Sequence, residues 1–596
     1  MKSFFRSFLA AMAAIWLSSL IMFIGVFIAI GIVAAKSAVG NKNQLSIKDN
    51  SVIVMDLGGV VVDRSVPRDV FKELSGRDET TLPLNSIIRA IDEASKDSHI
   101  SGLYLKCNGI EAGLAQTDEI LGALCRFKKA GKWIASYADN YSQNDYVFAS
   151  VADSVYLNPS GSVDLHGLQA TTLYFKDLLN NMGVEAQVVK VGTYKSAVEP
   201  FMLDGMSDAS RHQQEVYLGN IWNHLAKSMA QGRKISIEKL NHIADSLPAF
   251  LAADVLKKEG LVDRLLYERE VDRILYKMAG NEDKSDEKRP APNYIDILDY
   301  AGNFDLNRIG KGGDKNIAVV YAVGDITEDG DEGIVSENLV PVILDIIDDD
   351  DIDALLLRVN SGGGSAYASE QIWDALRYFK EKTGKPFYVS MGDYAASGGY
   401  YISCGADKIY ADPLTLTGSI GIFGIIPSAE KLMNDKLGIH TDAVSTNPQG
   451  NLPTLFNSMT PRQREALQRN VDNGYELFTS RVAAGRKLSV DSVKSIAEGR
   501  VWDGKSALEI GLVDKLGDMN TALADLAREI GANDYNLKIY PDIELKWWQQ
   551  LLDIDSQLKE RAIVARIPYA LPLYNTIESL GNLNALQCRM DYIIIK

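Results

Sequence analysis

Ile100-Ser-Gly-Leu-Tyr-Leu-Lys-Cys-Asn108 and Ile352-Asp-Ala-Leu-Leu-Leu-Arg-Val-Asn360 are two versions of one segment, 252 residues apart. Each reads as a short apolar run, the pattern of a strand buried on both faces. Working outward, the β-branched runs 51–57 and 316–321 precede them, with helix-like stretches at 84–96 and 339–347. Further helix-like stretches follow at 117–129 and 369–382, then strand-like runs at 133–137 and 386–391. Ala152-Asp153 and Asn158-Pro159 match Ala406-Asp407 and Asp412-Pro413 at a shift of 254 residues. Strands alternating with helices of this length predict parallel βαβ units, so the chain reads as an α/β protein built from a tandem repeat.

The 596 residues divide accordingly. The run 8–35 carries no charged residue, with Lys2 and Arg6 before it and Lys36 after it. It is longer than the roughly 7–15 apolar residues of a cleavable signal and long enough to cross a bilayer as a helix. Residues 1–40 are therefore expected to form one N-terminal transmembrane anchor in contact with lipid. Its basic start predicts a cytoplasmic N-terminus and an extracytoplasmic remainder. The first repeat is assigned to 46–310 and the second to 315–540, joined across the charged, proline-bearing stretch 281–292. Residues 541–596, with Trp547-Trp548 and the apolar run 562–573, read as a tail for packing or oligomer contacts. A net charge of −17 argues against nucleic acid as a partner. Cys107, Cys125, Cys404 and Cys588 form no metal-like spacing; the first three lie in apolar stretches and are expected as buried free thiols.

The chemistry-bearing residues do not repeat. Ser397 lies in Tyr394-Ala-Ala-Ser-Gly-Gly-Tyr400, and the first copy has Gln143 there. Small residues around Ser397 let a substrate backbone approach, and the Gly398 N–H would face a developing oxyanion; the bland reading is a helix-capping serine. Asn360-Ser-Gly-Gly-Gly-Ser365 follows a central strand at its carboxyl end, where open α/β sheets bind ligands. The first copy, Asn108-Gly-Ile-Glu-Ala-Gly113, lacks that glycine run. None of the six histidines sits in a small-residue turn like that around Ser397. A lysine is the other base a serine can use. Lys195 lies in Gly192-Thr-Tyr-Lys-Ser-Ala-Val-Glu-Pro200 among largely apolar neighbours, and the second copy places Gly450 opposite it. Burial disfavours a charged amine; the bland alternative is a surface lysine. Ser419, in Thr417-Gly-Ser-Ile-Gly421, is a candidate to orient that amine.

These motifs resemble the long-form signal peptide peptidases of peptidase family S49 over nearly the whole chain. The resemblance implies two tandem Clp-protease/crotonase-like domains behind a membrane anchor. It implies Ser397 as nucleophile, Lys195 as general base and Ser419 as its orienter. Gly398, with Gly363 or Gly364, would supply the oxyanion N–H groups. Gly362 departs from the proline that the family commonly carries, which loosens the loop without removing a donor. The resemblance further implies a homotetramer on the outer face of the inner membrane, acting on hydrophobic peptides, chiefly remnant signal peptides, without metal or cofactor. Two rival readings are a crotonase-type acyl-CoA enzyme and a catalytically silent membrane scaffold. The first lacks paired acids for such a site, and the second leaves the intact serine and lysine motifs without a purpose. The asymmetry predicts one active site between the copies and no activity in either half alone.

Overall fold

Ile100–Lys106 and Ala354–Ser361 are strands, each inside a parallel sheet. The computed structural model describes residues 16–18, 22, 47–64, 80–281, 290–542, 587–590 and 594–595. The anchor expected over 1–40 falls almost wholly outside the described residues, among which no helix is long and apolar enough to cross a membrane. The tail's Trp547-Trp548 and 562–573 also lie outside them.

The first sheet runs Arg264–Leu265, Ser154–Leu157, Trp133–Ala138, Ile100–Lys106, Ser51–Asp56, Asn293–Asp296, all parallel. The second repeats this order as Lys515–Leu516, Lys408–Ala411, Phe387–Ala396, Ala354–Ser361, Asn316–Val323, Tyr535–Tyr540. Arg308–Ile309, placed by sequence at the end of the first repeat, pairs antiparallel with Tyr535–Tyr540 of the second sheet. Flanking helices form where expected. Leu84–Lys96 and Leu114–Lys129 cover the first sheet, and Ser336–Asp348 and Ala366–Thr383 serve the second. Their buried positions recur at three and four residues, as in Ile120, Leu121, Ala123, Leu124 and Phe127. Cys125 falls off that stripe and is exposed, against expectation; Cys107 and Cys404 are buried, and all are free thiols.

The repeat extends to detail. Asp208–Arg233 and Pro461–Arg486 are both 26-residue helices. Each ends on a left-handed lysine, Lys234 or Lys487, with φ of 55°. Tyr146 donates to the Leu261 carbonyl, and Tyr400 donates to that of Leu512.

Several contacts join the copies among the described residues, and two of them shape the site. The first is a buried polar joint. Arg358, 1% exposed, donates to Glu119 at 2.8 Å and to Asp63 at 3.1 Å. Asn360 donates to Asp63 and Asp393, whose other oxygen accepts the Ala115 and Gln116 N–H groups at the start of a first-repeat helix. Burial lowers the Arg358 guanidinium, but the facing Glu119 and Asp63 carboxylates outweigh it and the net shift is upward. Burial pushes Glu119 up to about 7 against the pull of Arg358. The second is a composite sheet: Ile334–Val335, Ile326–Thr327, Gly363–Ser365, Gln587–Arg589, Ile422–Ser428, Glu185–Val191. Its last strand belongs to the first repeat and pairs antiparallel with Ile422–Ser428 from Ile422↔Val191 to Ser428↔Glu185.

Candidate active site

That pairing carries Lys195 across to the second repeat. Just beyond Val191 the chain turns through Gly192, and Lys195, four residues on, precedes the short 3-10 turn Ser196–Val198. Val198 packs with Val188, Phe423 and Ile425, an apolar cluster drawn from both copies. Lys195 is 1% exposed. From the other side, Phe387–Ala396 delivers Ser397, fully buried, at the entrance to the helix Gly398–Ser403. Its φ of 56° and ψ of −113° lie where a side chain with a Cβ is uncomfortable. The turn is held by the Ser397 N–H on the Gly418 carbonyl at 2.7 Å and the Tyr401 N–H on the Ser397 carbonyl at 2.8 Å.

The side chains meet. Lys195 Nζ lies 2.7 Å from Ser397 Oγ, and 3.1 Å from both the carbonyl and the hydroxyl oxygen of Ser419. Three partners fix the amine, and the contact with Ser397 is at proton-transfer distance. Ser419 also has a positive φ, 49°, and its N–H bonds the Arg500 carbonyl at 2.7 Å.

The glycine run sits against this pair. Gly363 has φ of 107°, and a Cβ there would lie 2.8 Å from the Gly398 nitrogen and 2.1 Å from the Cys588 carbonyl oxygen. Only glycine fits so close an approach. The Gly363 N–H is engaged by Ser361 Oγ at 3.1 Å. Gly364 is paired with Cys588 across an antiparallel ladder, and Gly363 is the glycine that lies against Gly398. Gly362 has open space around its Cα. Gly450 instead lies in an exposed turn closed by its own N–H on the Asn447 carbonyl. The strand that delivers the lysine in the first copy has no strand counterpart there, since 440–446 is exposed coil.

Sequence reasoning missed the clamp that holds both sides together. The Glu498 carbonyl accepts the Tyr194 N–H at 2.9 Å, and its carboxylate accepts from the Thr193 hydroxyl at 2.6 Å. Gly499 packs so tightly on Lys195 that a Cβ would lie 2.6 Å from the lysine Cβ. Arg500 lies over the Tyr194 and Trp502 rings. Gln213 donates to Ser196 Oγ and the Tyr194 carbonyl and accepts the Val501 N–H. Glu498-Gly499-Arg500 reads in sequence as an ordinary polar turn, and Gln213 as one polar residue in a polar helix. The tail strand at Cys588 was equally invisible.

The profile of Peptidase family S49 matches twice, at residues 126–281 and 380–533. Protease 4 of Haemophilus influenzae is 34% identical over 582 residues, covering 94% of this chain and 93% of its own. Protease 4 of Salmonella typhi is 35% identical over 567 residues, covering 91% and 89%. The chloroplastic serine protease SPPA of Arabidopsis thaliana is 28% identical over 571 residues, covering 92% and 79%. Each match of the family profile falls on one α/β repeat, and the first two relatives span nearly the full length of both chains. The chain belongs to peptidase family S49 and is a serine peptidase.

Proposed function

We propose that the chain is a membrane-anchored endopeptidase working through a Ser397–Lys195 dyad on hydrophobic peptides, chiefly signal peptides left in the membrane. The observation that carries this reading is the 2.7 Å contact of Lys195 Nζ with Ser397 Oγ in a buried site. As a neutral amine, Lys195 takes the Ser397 proton while the oxygen attacks the peptide carbonyl. Charge developing on that carbonyl oxygen is met by the Gly398 N–H group, with that of Gly363 or Gly364 as the second donor. The C–N bond breaks as Lys195 returns its proton to the leaving amine. Water, deprotonated by the same amine, then hydrolyses the Ser397 ester. Ser419 acts as a positioning residue that holds the amine toward Ser397.

The uncharged run 8–35 supports an anchor with the catalytic repeats on the extracytoplasmic side. In this reading the enzyme works as a homotetramer that gathers peptides at the membrane. Purified Ser397→Ala and Lys195→Ala chains, assayed on a hydrophobic peptide, test the dyad. Both are expected to lose hydrolysis by about 10³-fold or more. Wild-type rates in either variant would remove that residue from the mechanism.

A further inference from the structure

A lysine base has to be held still. Its amine sits on a flexible four-carbon stem, and ordering that stem costs rotamer freedom. Bonds to Ser397 and Ser419 fix the tip. The backbone beneath is fixed by Gln213, 3% exposed on the helix Asp208–Arg233. Gln213 Nε2 donates to the Tyr194 carbonyl at 3.3 Å and to Ser196 Oγ at 3.2 Å, on either side of Lys195. Its Oε1 accepts the Val501 N–H at 3.1 Å. A carbonyl can only accept and a backbone N–H can only donate, so these partners dictate one orientation of the side-chain amide and use both its ends. The helix is tied to the same segment at its start, where the Glu199 carboxylate accepts the Ser207 N–H and hydroxyl.

The turn that leads into Val501 reaches the rest of the site. The Gly499 N–H donates to the Ile420 carbonyl at 2.8 Å, and the Arg500 carbonyl accepts the Ser419 N–H at 2.7 Å. Gly418, next to Ser419, accepts the Ser397 N–H. One buried amide thus links the backbone under the base, through one turn, to the backbone under Ser419 and Ser397.

The repeat supplies a control. Counted from the left-handed lysines that end the two long helices, the counterpart of Gln213 is Ala466. Counted from Val262-Asp263-Arg264-Leu265 and Val513-Asp514-Lys515-Leu516, the turn Glu498-Gly499-Arg500 corresponds to Leu247-Pro248-Ala249. Leu247 and Glu498 share a left-handed backbone, with φ of 53° and 54°. The turn is common to both copies, but Pro248 has no N–H to give and Ala466 has no amide. Each bonding group stands in the copy where it meets the lysine: Gln213 beside Lys195 in the first, the glycine and arginine of the turn in the second.

We infer that Gln213 is a positioning residue for the base, setting Lys195 against Ser397 and Ser419 through the turn at 498–500. This rests on the dyad reading above. Gln213 bonds the segment that carries the base and not the reacting atoms, so its contribution is alignment. A displacement of about 1 Å near a reacting group costs on the order of 10²-fold in rate. The loss falls on kcat and leaves KM in place, because alignment of the base matters after the peptide is bound.

Gln213→Met keeps the length of the side chain and removes all three bonds. Gln213→Glu keeps the acceptor for Val501 and loses the donors. Gly499→Ala reaches the same segment from the other side, where a Cβ would lie 2.6 Å from the Lys195 Cβ. These full-length chains are compared with wild type and Lys195→Ala in steady-state hydrolysis of a hydrophobic peptide, with rates taken per Ser397 titrated to completion by an alkyl fluorophosphonate. We expect kcat per titrated site to fall about 10–100-fold in Gln213→Met and by less in Gln213→Glu, with KM within about twofold of wild type. Wild-type kcat per site in Gln213→Met, or a loss confined to the number of titratable sites, would overturn the assignment, the second outcome marking a purely structural role. If Gln213→Met does not fold, Gln213→Glu and Gly499→Ala decide, and wild-type kcat in both overturns it. An inactive Lys195→Ala beside an unaffected Gln213→Met would sink this inference alone; a fully active Lys195→Ala would sink the dyad with it.

Discussion

The two strand-to-helix junctions occupy equivalent places in their repeats and differ in backbone and in what fills them: Ser397 has a positive φ, and its counterpart Gln143 opens the helix without one. In the first repeat the helix Gln143–Ser150 begins with side chains that occupy the surrounding amides. Asp145 accepts the Gly109 and Ile110 N–H groups at 3.1 and 3.2 Å, on the loop equivalent to Ser361-Gly362-Gly363. Gln143 accepts the His166 and Gly167 N–H groups and donates back to the Gly167 carbonyl. In the second repeat the matching positions are Gly399 and Ser397. Gly399 has no side chain to place in the loop, and a Cβ there would lie 2.7 Å from the Ser361 carbonyl. One junction is filled by its own long side chains; the other has only glycine backbone and a serine hydroxyl in their place. If Ser397 is the nucleophile proposed above, the working junction differs from the structural one by the side chains that are missing.

The largest effect tests that contrast directly. Ser397→Ala should abolish peptide hydrolysis by at least about 10³-fold, and adding Gln143→Ser should restore none of it. A fluorophosphonate adduct at position 143 would break the comparison.

Next comes the joint between the copies. Arg358→Ala strands two buried carboxylates and should lower unfolding free energy by about 3–5 kcal/mol. Its first-repeat counterpart Lys106 pairs with Glu268 at the surface. Lys106→Ala should change stability by under about 0.5 kcal/mol. Denaturant midpoints of the two variants decide this, and equal shifts would mean that the joint is no more than a surface pair.

Asp145→Ala should cost about 1–3 kcal/mol by stranding two amides, with kcat unchanged. A fall in kcat without loss of stability would give the first junction a catalytic share.

The smallest effect is with pH. Burial holds Glu119 up at about 7, above its unfolded value. A group raised in this way contributes stability that is complete below the unfolded value and lost as pH rises through the folded one. Unfolding free energy should therefore decline between about pH 5 and pH 8. The decline should be shallower in Glu119→Gln; an unchanged slope would assign it to other groups.

Much of this was legible in the sequence. Central strands such as Ala354–Ser361 are buried on both faces and so read as unbroken apolar runs, and Leu84–Lys96 repeats its apolar face at helical spacing. Ser397 and Lys195 stood out because each lies in a motif its partner copy lacks. What stayed hidden depends on tertiary context. Cys125 is apolar by neighbourhood but lies off the buried stripe of its helix. Gln587–Arg589 has no periodicity because three residues become a strand only when a groove supplies both edges. Glu498 and Gln213 matter through partners about 300 residues away, a distance that local pattern does not span.

The composite sheet also sets an order in time. The lysine and the serine it brings together are 202 residues apart in the chain. At about 5–20 residues per second, a ribosome needs roughly 10–40 s to make the second after the first. Under the proposed dyad, the nascent protein through that interval has a base without a nucleophile and cannot cut itself or its neighbours. Activity arrives only when translation has passed both, so a finished cleft certifies that the polypeptide has been made through its second half.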